Sequence, residues 1–113
     1  DYSILLNDVL FARLNYVDIS DSTNLTKTGL FLSNGSRCYA PTLNGDNKAK
    51  LVHVEDGSQL AVGLINNPAN CTTLANATTG GIINFLNANI PQYPAKLTKS
   101  NGGVMFNVDG TLL

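Results

Sequence analysis

Tryptophan is absent from this 113-residue chain, and histidine and methionine each occur once, as His53 and Met105. Charge is scarce as well: Asp, Glu, Lys and Arg make up 13% of the residues and the net charge is −1, against a usual charged share of about 25%. Each shortage excludes something. Two cysteines and one histidine far apart in the chain do not make a zinc site. Five lysines and two arginines, scattered without a stripe, leave no electrostatic footprint for nucleic-acid phosphates or for an anionic membrane surface. The nucleophile-elbow pattern G-x-S-x-G is missing, and the glycines fit neither the dinucleotide fingerprint nor the phosphate-binding loop. No set of residues therefore points to a cofactor, a metal or a catalytic centre, and the chain reads as a non-enzyme. His53 stands on an apparent strand with Glu55 two residues on; packing is the expected role there, not catalysis. The acidic residues, Asp1, Asp8, Asp18, Asp21, Asp46, Glu55, Asp56 and Asp109, are spread along the chain and form no evident pair.

What is present is apolar and neutral-polar. Hydrophobic residues reach 43%, and the polar remainder is built from fifteen Asn, ten Thr and seven Ser. At this length one domain with one core, residues 1–113, is expected. The longest apolar run lies at the start: Tyr2, Ile4, Leu5, Leu6, Val9, Leu10, Phe11, Ala12, Leu14, Tyr16, Val17 and Ile19. Its even positions are apolar from Tyr2 to Tyr16 except at Asp8, the alternation of a strand with one wet face. A helical arc through Tyr2, Leu5, Leu6, Val9, Leu10, Ala12, Tyr16 and Val17 is the alternative. Asn7, Asp8, Arg13 and Asn15 interrupt the run, so it is not a membrane span, and it lacks the positive flank of a signal peptide.

The rest of the chain is punctuated by turn dipeptides. Asn34-Gly35 separates Gly29–Ser33 from Ser36–Ala40, and Asp56-Gly57 separates Lys50–Glu55 from Ser58–Ile65. Each is a strong hairpin signal. The first predicts Ser33 opposite Ser36, Leu32 opposite Arg37 and Phe31 opposite Cys38, with Pro41 ending the second strand. The second predicts a hairpin apolar on both faces, carrying Leu51, His53, Leu60, Val62 and Leu64 on one side and Val52, Val54, Ala61, Gly63 and Ile65 on the other. Such a hairpin is central in its fold or covered by another subunit. A strand or short helical turn is expected over 81–87 and a strand over 104–108. Asp18–Asn24 and Asn44–Asn47 read as polar loops. No internal repeat is evident. The fold class expected is mainly β: a small antiparallel sandwich or barrel of hairpins with a long N-terminal strand, or alternatively an N-terminal helix packed on an antiparallel sheet.

Cys38 and Cys71 are expected to form one disulfide in an oxidising compartment, closing a loop of about 34 residues worth roughly 3–4 kcal/mol. Four glycosylation sequons occur, at Asn24, Asn34, Asn70 and Asn76, where this composition predicts about two by chance. In outline, an apolar N-terminal segment followed by an antiparallel sheet and one disulfide resembles the globular part of a type IV pilin, although that family's apolar leader helix does not occur in these 113 residues. The stretch 50–65 is similar in pattern to phage head-decoration proteins. Weighed together, these features lead to the expectation of a structural, self-assembling subunit of an extracellular filament or a virion surface. Tyr2, Ile4, Leu6, Leu10, Leu14 and Tyr16 would make the subunit contacts, with further copies or other subunits of the same assembly as partners. A secreted glycan- or ligand-binding β module is the alternative; its loop aromatics are few.

Overall fold

The computed structural model describes residues 2–19, 27–46, 48–66, 70–87 and 92–113. They are mainly β, as the alternation predicts, but every strand-to-strand ladder is parallel. Sheet A has the order β1 (Tyr2–Asn7), β4 (Thr28–Ser33), β6 (Lys50–Val54), β8 (Thr73–Ala77), β10 (Leu97–Lys99). Sheet B runs β11 (Val104–Phe106), β9 (Ile82–Phe85), β7 (Gln59–Asn66), β5 (Arg37–Asn44), with the short β2 (Ala12–Arg13) and β3 (Val17–Asp18) both on the far side of β5. The chain alternates between the sheets, so each circuit adds one strand to both. The result is a β-solenoid of five coils among the described residues, not an antiparallel sandwich or barrel.

The reason lies at the turns. Asn34-Gly35, Asp56-Gly57, Thr79-Gly80 and Asn101-Gly102 each put two successive residues at positive φ, for instance 53° and 71° at the first and 48° and 79° at the last. Asn, Asp and Gly tolerate that region at least cost. Each turn closes with one hydrogen bond of hairpin type. Ser36 N–H donates to Ser33 O (3.3 Å), Ser58 N–H to Glu55 O (3.0 Å), Gly81 N–H to Thr78 O (2.8 Å) and Gly103 N–H to Ser100 O (2.9 Å). Beyond that closing pair the strands diverge into opposite sheets. Leu32 lies beside Val54, not Arg37, and Cys38 lies beside Leu60, not Phe31. The turns then stack on one another. Gly35 N–H donates to Asp56 O (2.9 Å), Gly57 N–H to Thr79 O (3.1 Å) and Gly80 N–H to Asn101 O (3.1 Å). A 22- to 23-residue repeat thus exists, marked by turn-Gly-Ser or turn-Gly-Gly.

The core is the space between the sheets. Leu30, Val52 and Ala75 share one register in sheet A, Leu32, Val54 and Ala77 the next. From sheet B, Cys38, Leu60, Ile83 and Met105 form one inward column and Ala40, Val62 and Phe85 another; all are at most 3% exposed. The both-sides-apolar stretch has a local cause. Its two strands lie in different sheets, and at Gly63 the inward phase slips, so Val62 and Ile65 both reach the core. A Cβ on Gly63 would collide with Pro41 O. Pro41 lies inside β5, which continues to Asn44 rather than ending there.

The N-terminal stretch is neither a helix nor one long strand. It is β1, then two short strands on sheet B, broken at Asp8, which has φ 58° and occupies the turn column. At the other end, the strand expected over 104–108 stops at Phe106. Residues 107–113 fold back on it, with Asn107 N–H donating to Thr111 O and Leu113 N–H to Met105 O.

Candidate functional site

Three places among the described residues bear on the expected sites. The first is the N-terminal end of the solenoid. β1 pairs with β4 along one edge, and among the described residues no strand lies along its other edge. Ile4, Leu6 and Leu14 are partly buried and pack on the chain's own core. Tyr2, Leu10 and Tyr16 do not: they are 48%, 91% and 64% exposed, and neighbouring Leu5 and Phe11 are also open. The six residues expected to make subunit contacts therefore divide, three packed on the core, Tyr2 half-exposed, and Leu10 and Tyr16 largely in solvent. Tyr2 meets Phe31 edge to face, at 5.7 Å between ring centres.

The second is the outer face of sheet A. Phe31, His53, Asn76 and Thr98 stand in one register, one per coil. The His53 ring stacks on Phe31 at 4.7 Å. Its Nε2 is 3.1 Å from Glu55 Oε2, and its Nδ1 is 3.0 Å from Asn76 Nδ2 and 3.4 Å from Lys50 Nζ. Amide and ammonium can only donate, so Nδ1 accepts and Nε2 carries the proton to the carboxylate. Thr98 Oγ1 donates to Asn76 Oδ1 (2.6 Å). Both ring nitrogens are engaged, and no hydroxyl or thiol nucleophile among the described residues is hydrogen-bonded to the ring. The arrangement is a satisfied polar ladder that ties coil to coil.

The third is the edge of the solenoid opposite the stacked turns. Lys48 is buried, with Nζ 3.3 Å from Ser3 Oγ. Lys96 Nζ donates to Cys71 O (2.6 Å), and Asp46 Oδ1 is buried there without a hydrogen bond. Cys71 is a free thiol, as is Cys38, which corrects the expected disulfide. β5 starts just after the Asn34-Gly35 turn, so Cys38 sits beside the turn column, whereas Cys71 precedes β8 at the opposite edge. Burial pushes the Cys38 thiol up to about 11. It raises the Cys71 thiol too, with the Asp46 charge adding to the effect and a hydrogen bond from the Lys48 backbone and the charges of Lys96 and Lys48 opposing it. Thiols held protonated are poor nucleophiles.

Of the sequons, Asn34 and Asn70 are exposed, and Asn24 lies outside the described residues. Asn76 is buried, and its Nδ2, the atom a glycan would take, donates to His53. Among the described residues no group of three or more His, Cys, Asp or Glu side chains is placed to hold a metal ion, and no helix is long and apolar enough to cross a membrane.

The chain matches no family model, no curated protein and no solved structure. Parallel sheets and free thiols also remove the pilin-like outline, which required an antiparallel sheet and a disulfide.

The stacking itself was missed by sequence reasoning. Its signal is short: three residues at each turn, with an inward apolar residue two positions after every turn and two positions before the first three; before the fourth stands the exposed Lys99.

Proposed function

We propose that this chain is a structural solenoid unit that associates with a second copy through its N-terminal end, as part of an assembly outside the cell or on a virion surface. The observation that carries the reading is the bare edge of β1 flanked by Tyr2, Leu10 and Tyr16, with Leu10 91% exposed. An unpaired strand edge is a template for strand addition, and burying each of those side chains contributes about 1.5–3 kcal/mol before ordering costs. The opposite end differs on sheet B, where residues 107–113 already lie along β11, and on sheet A it ends in β10, an edge strand of only three residues, two of them exposed. That asymmetry favours head-to-head contact, an isologous two-fold pair, over an open head-to-tail fibre. The weakly charged, Asn- and Thr-rich surface is compatible with an extracellular setting.

Light scattering across the micromolar range, up to ~100 μM, tests this. The wild type is expected at twice the monomer mass. Leu10→Asp/Tyr16→Asp, which alters only exposed side chains, is expected to be monomeric, and Val108→Asp at the other end is expected to stay paired. A monomeric wild type, or a pair broken by Val108→Asp alone, contradicts the proposal.

A further inference from the structure

The outer face of sheet B differs from that of sheet A in one respect: around Ala61, Arg37, Gln59 and Asn84 are not spent on one another. Registers place Arg37 beside Gln59 and Gln59 beside Ile82 in one outward column. Arg13, Tyr39, Ala61 and Asn84 form the next. Ala61 carries a single methyl between Tyr39 and Asn84, and the missing bulk opens a cleft of ≈ 230 Å³ over it, walled by Phe11, Arg37, Tyr39, Gln59 and Asn84. No carboxylate among the described residues lines it. Among the described residues the side chains of Arg37, Gln59 and Asn84 have no hydrogen-bond or ion-pair partner. Arg13, the only other arginine of the chain, lies over the Tyr39 ring at 4.9 Å and fixes the aromatic wall.

We propose that this cleft binds one residue of an acidic saccharide. The volume is below the roughly 300–1,000 Å³ of drug-sized sites and suits a single ring. Phe11 and Tyr39 offer flat faces for the C–H side of a sugar. Gln59 and Asn84 each present a donor pair and an acceptor, the complement of vicinal hydroxyls. Arg37 supplies the planar fork that pairs with a carboxylate in two parallel hydrogen bonds. The site does not depend on the self-association reading, since Leu10 and Tyr16 take no part in it.

The test is a chemical-shift titration of the whole chain with trigalacturonate and, separately, with neutral galactotriose of the same length. It is repeated on the Leu10→Asp/Tyr16→Asp variant, so that loss of pairing and loss of binding are read apart. The expected result is shifts confined to the cleft lining, which includes Arg37, Cys38 and Leu60 beside the other walls and the Ala61 floor, with the acidic ligand at least ~10-fold tighter, as one charge-assisted pair implies. Arg37→Gln should abolish that preference while leaving weak binding of both. Ala61→Leu, which fills the floor, should remove both. Shifts elsewhere, equal affinity for the neutral trimer, or equal binding of a triglutamate peptide overturns the proposal.

Discussion

Ser36 and Ser58 show how much one hydroxyl contributes to this fold. Each follows a turn glycine, is fully buried, and accepts a backbone N–H from the preceding coil: Val9 N–H on Ser36 Oγ (2.9 Å), Ser36 N–H on Ser58 Oγ (3.0 Å). Ser36→Ala orphans the Val9 donor and is expected to cost about 1–3 kcal/mol in urea unfolding, whereas Ser58→Ala leaves Ser36 N–H its bond to Ser33 O (3.3 Å) and is expected to cost less. Gly81 and Gly103 take the same place in later coils, where a Cβ would run into Val54 O and Ala77 O. Gly81→Ala is therefore expected to destabilise by more than Gly57→Ala, whose Cβ meets nothing and whose cost is the left-handed backbone alone, about 1–2 kcal/mol. Cys38 adds a pH dependence. Its thiol is raised from 9.0 to about 11 in the folded chain, so the folded state holds the proton where the unfolded chain releases it. That contribution is complete below pH 9 and is lost as pH rises towards 11, falling by about 1.4 kcal/mol for each pH step of one between those values. Cys38→Ala should flatten the alkaline limb of the stability curve, and reducing agent should leave the melting temperature unchanged.

Among elements, the outer ladder of sheet A makes a prediction about His53. His53→Ala removes the stack on Phe31 and strands the Asn76 amide, a loss of about 1–3 kcal/mol; His53→Phe keeps the stack and should recover part of it. Thermal unfolding of the two variants separates the contributions. The same strands show what was legible in the chain. The turns at Asn34-Gly35 and Asp56-Gly57 were readable because two positive-φ residues need Asn, Asp or Gly, and the alternation Leu30, Leu32 and Val52, Val54 announced strands. The destination of each strand was not readable from those cues. A closing hydrogen bond such as Ser58 to Glu55 serves a hairpin and a solenoid corner alike, and what separates them is whether Val54 finds Gln59 or Ala77 beside it. That choice is made by neighbours 22 to 23 residues away. The spacing of four turn glycines, at 35, 57, 80 and 102, carried the information, but Thr79 in place of Asn or Asp hid the third turn. The apolar count at the N-terminal end was readable too; the division into Ile4, Leu6 and Leu14 inside and Leu10 and Tyr16 outside was not, because Asp8 interrupts the alternation.

For the molecule as a whole, a solenoid gains stability coil by coil, and each coil contacts only its neighbours. Among the described residues the central coils are sealed on both sides by equivalent strands, the last coil is covered by its own tail along β11 but not along β10, and the first is covered on one side only. This ordering underlies both the expected pairing at β1 and the rigid outer face on which the sheet B cleft is built. It rests on parallel neighbours in register. Nuclear Overhauser contacts between strands test that most directly. Backbone contacts of the parallel pattern are expected to link Leu32 with Val54, Val54 with Ala77, and Cys38 with Leu60. Close α-proton pairs between Leu32 and Arg37, or between Val54 and Gln59, would mean hairpins, and would contradict the solenoid.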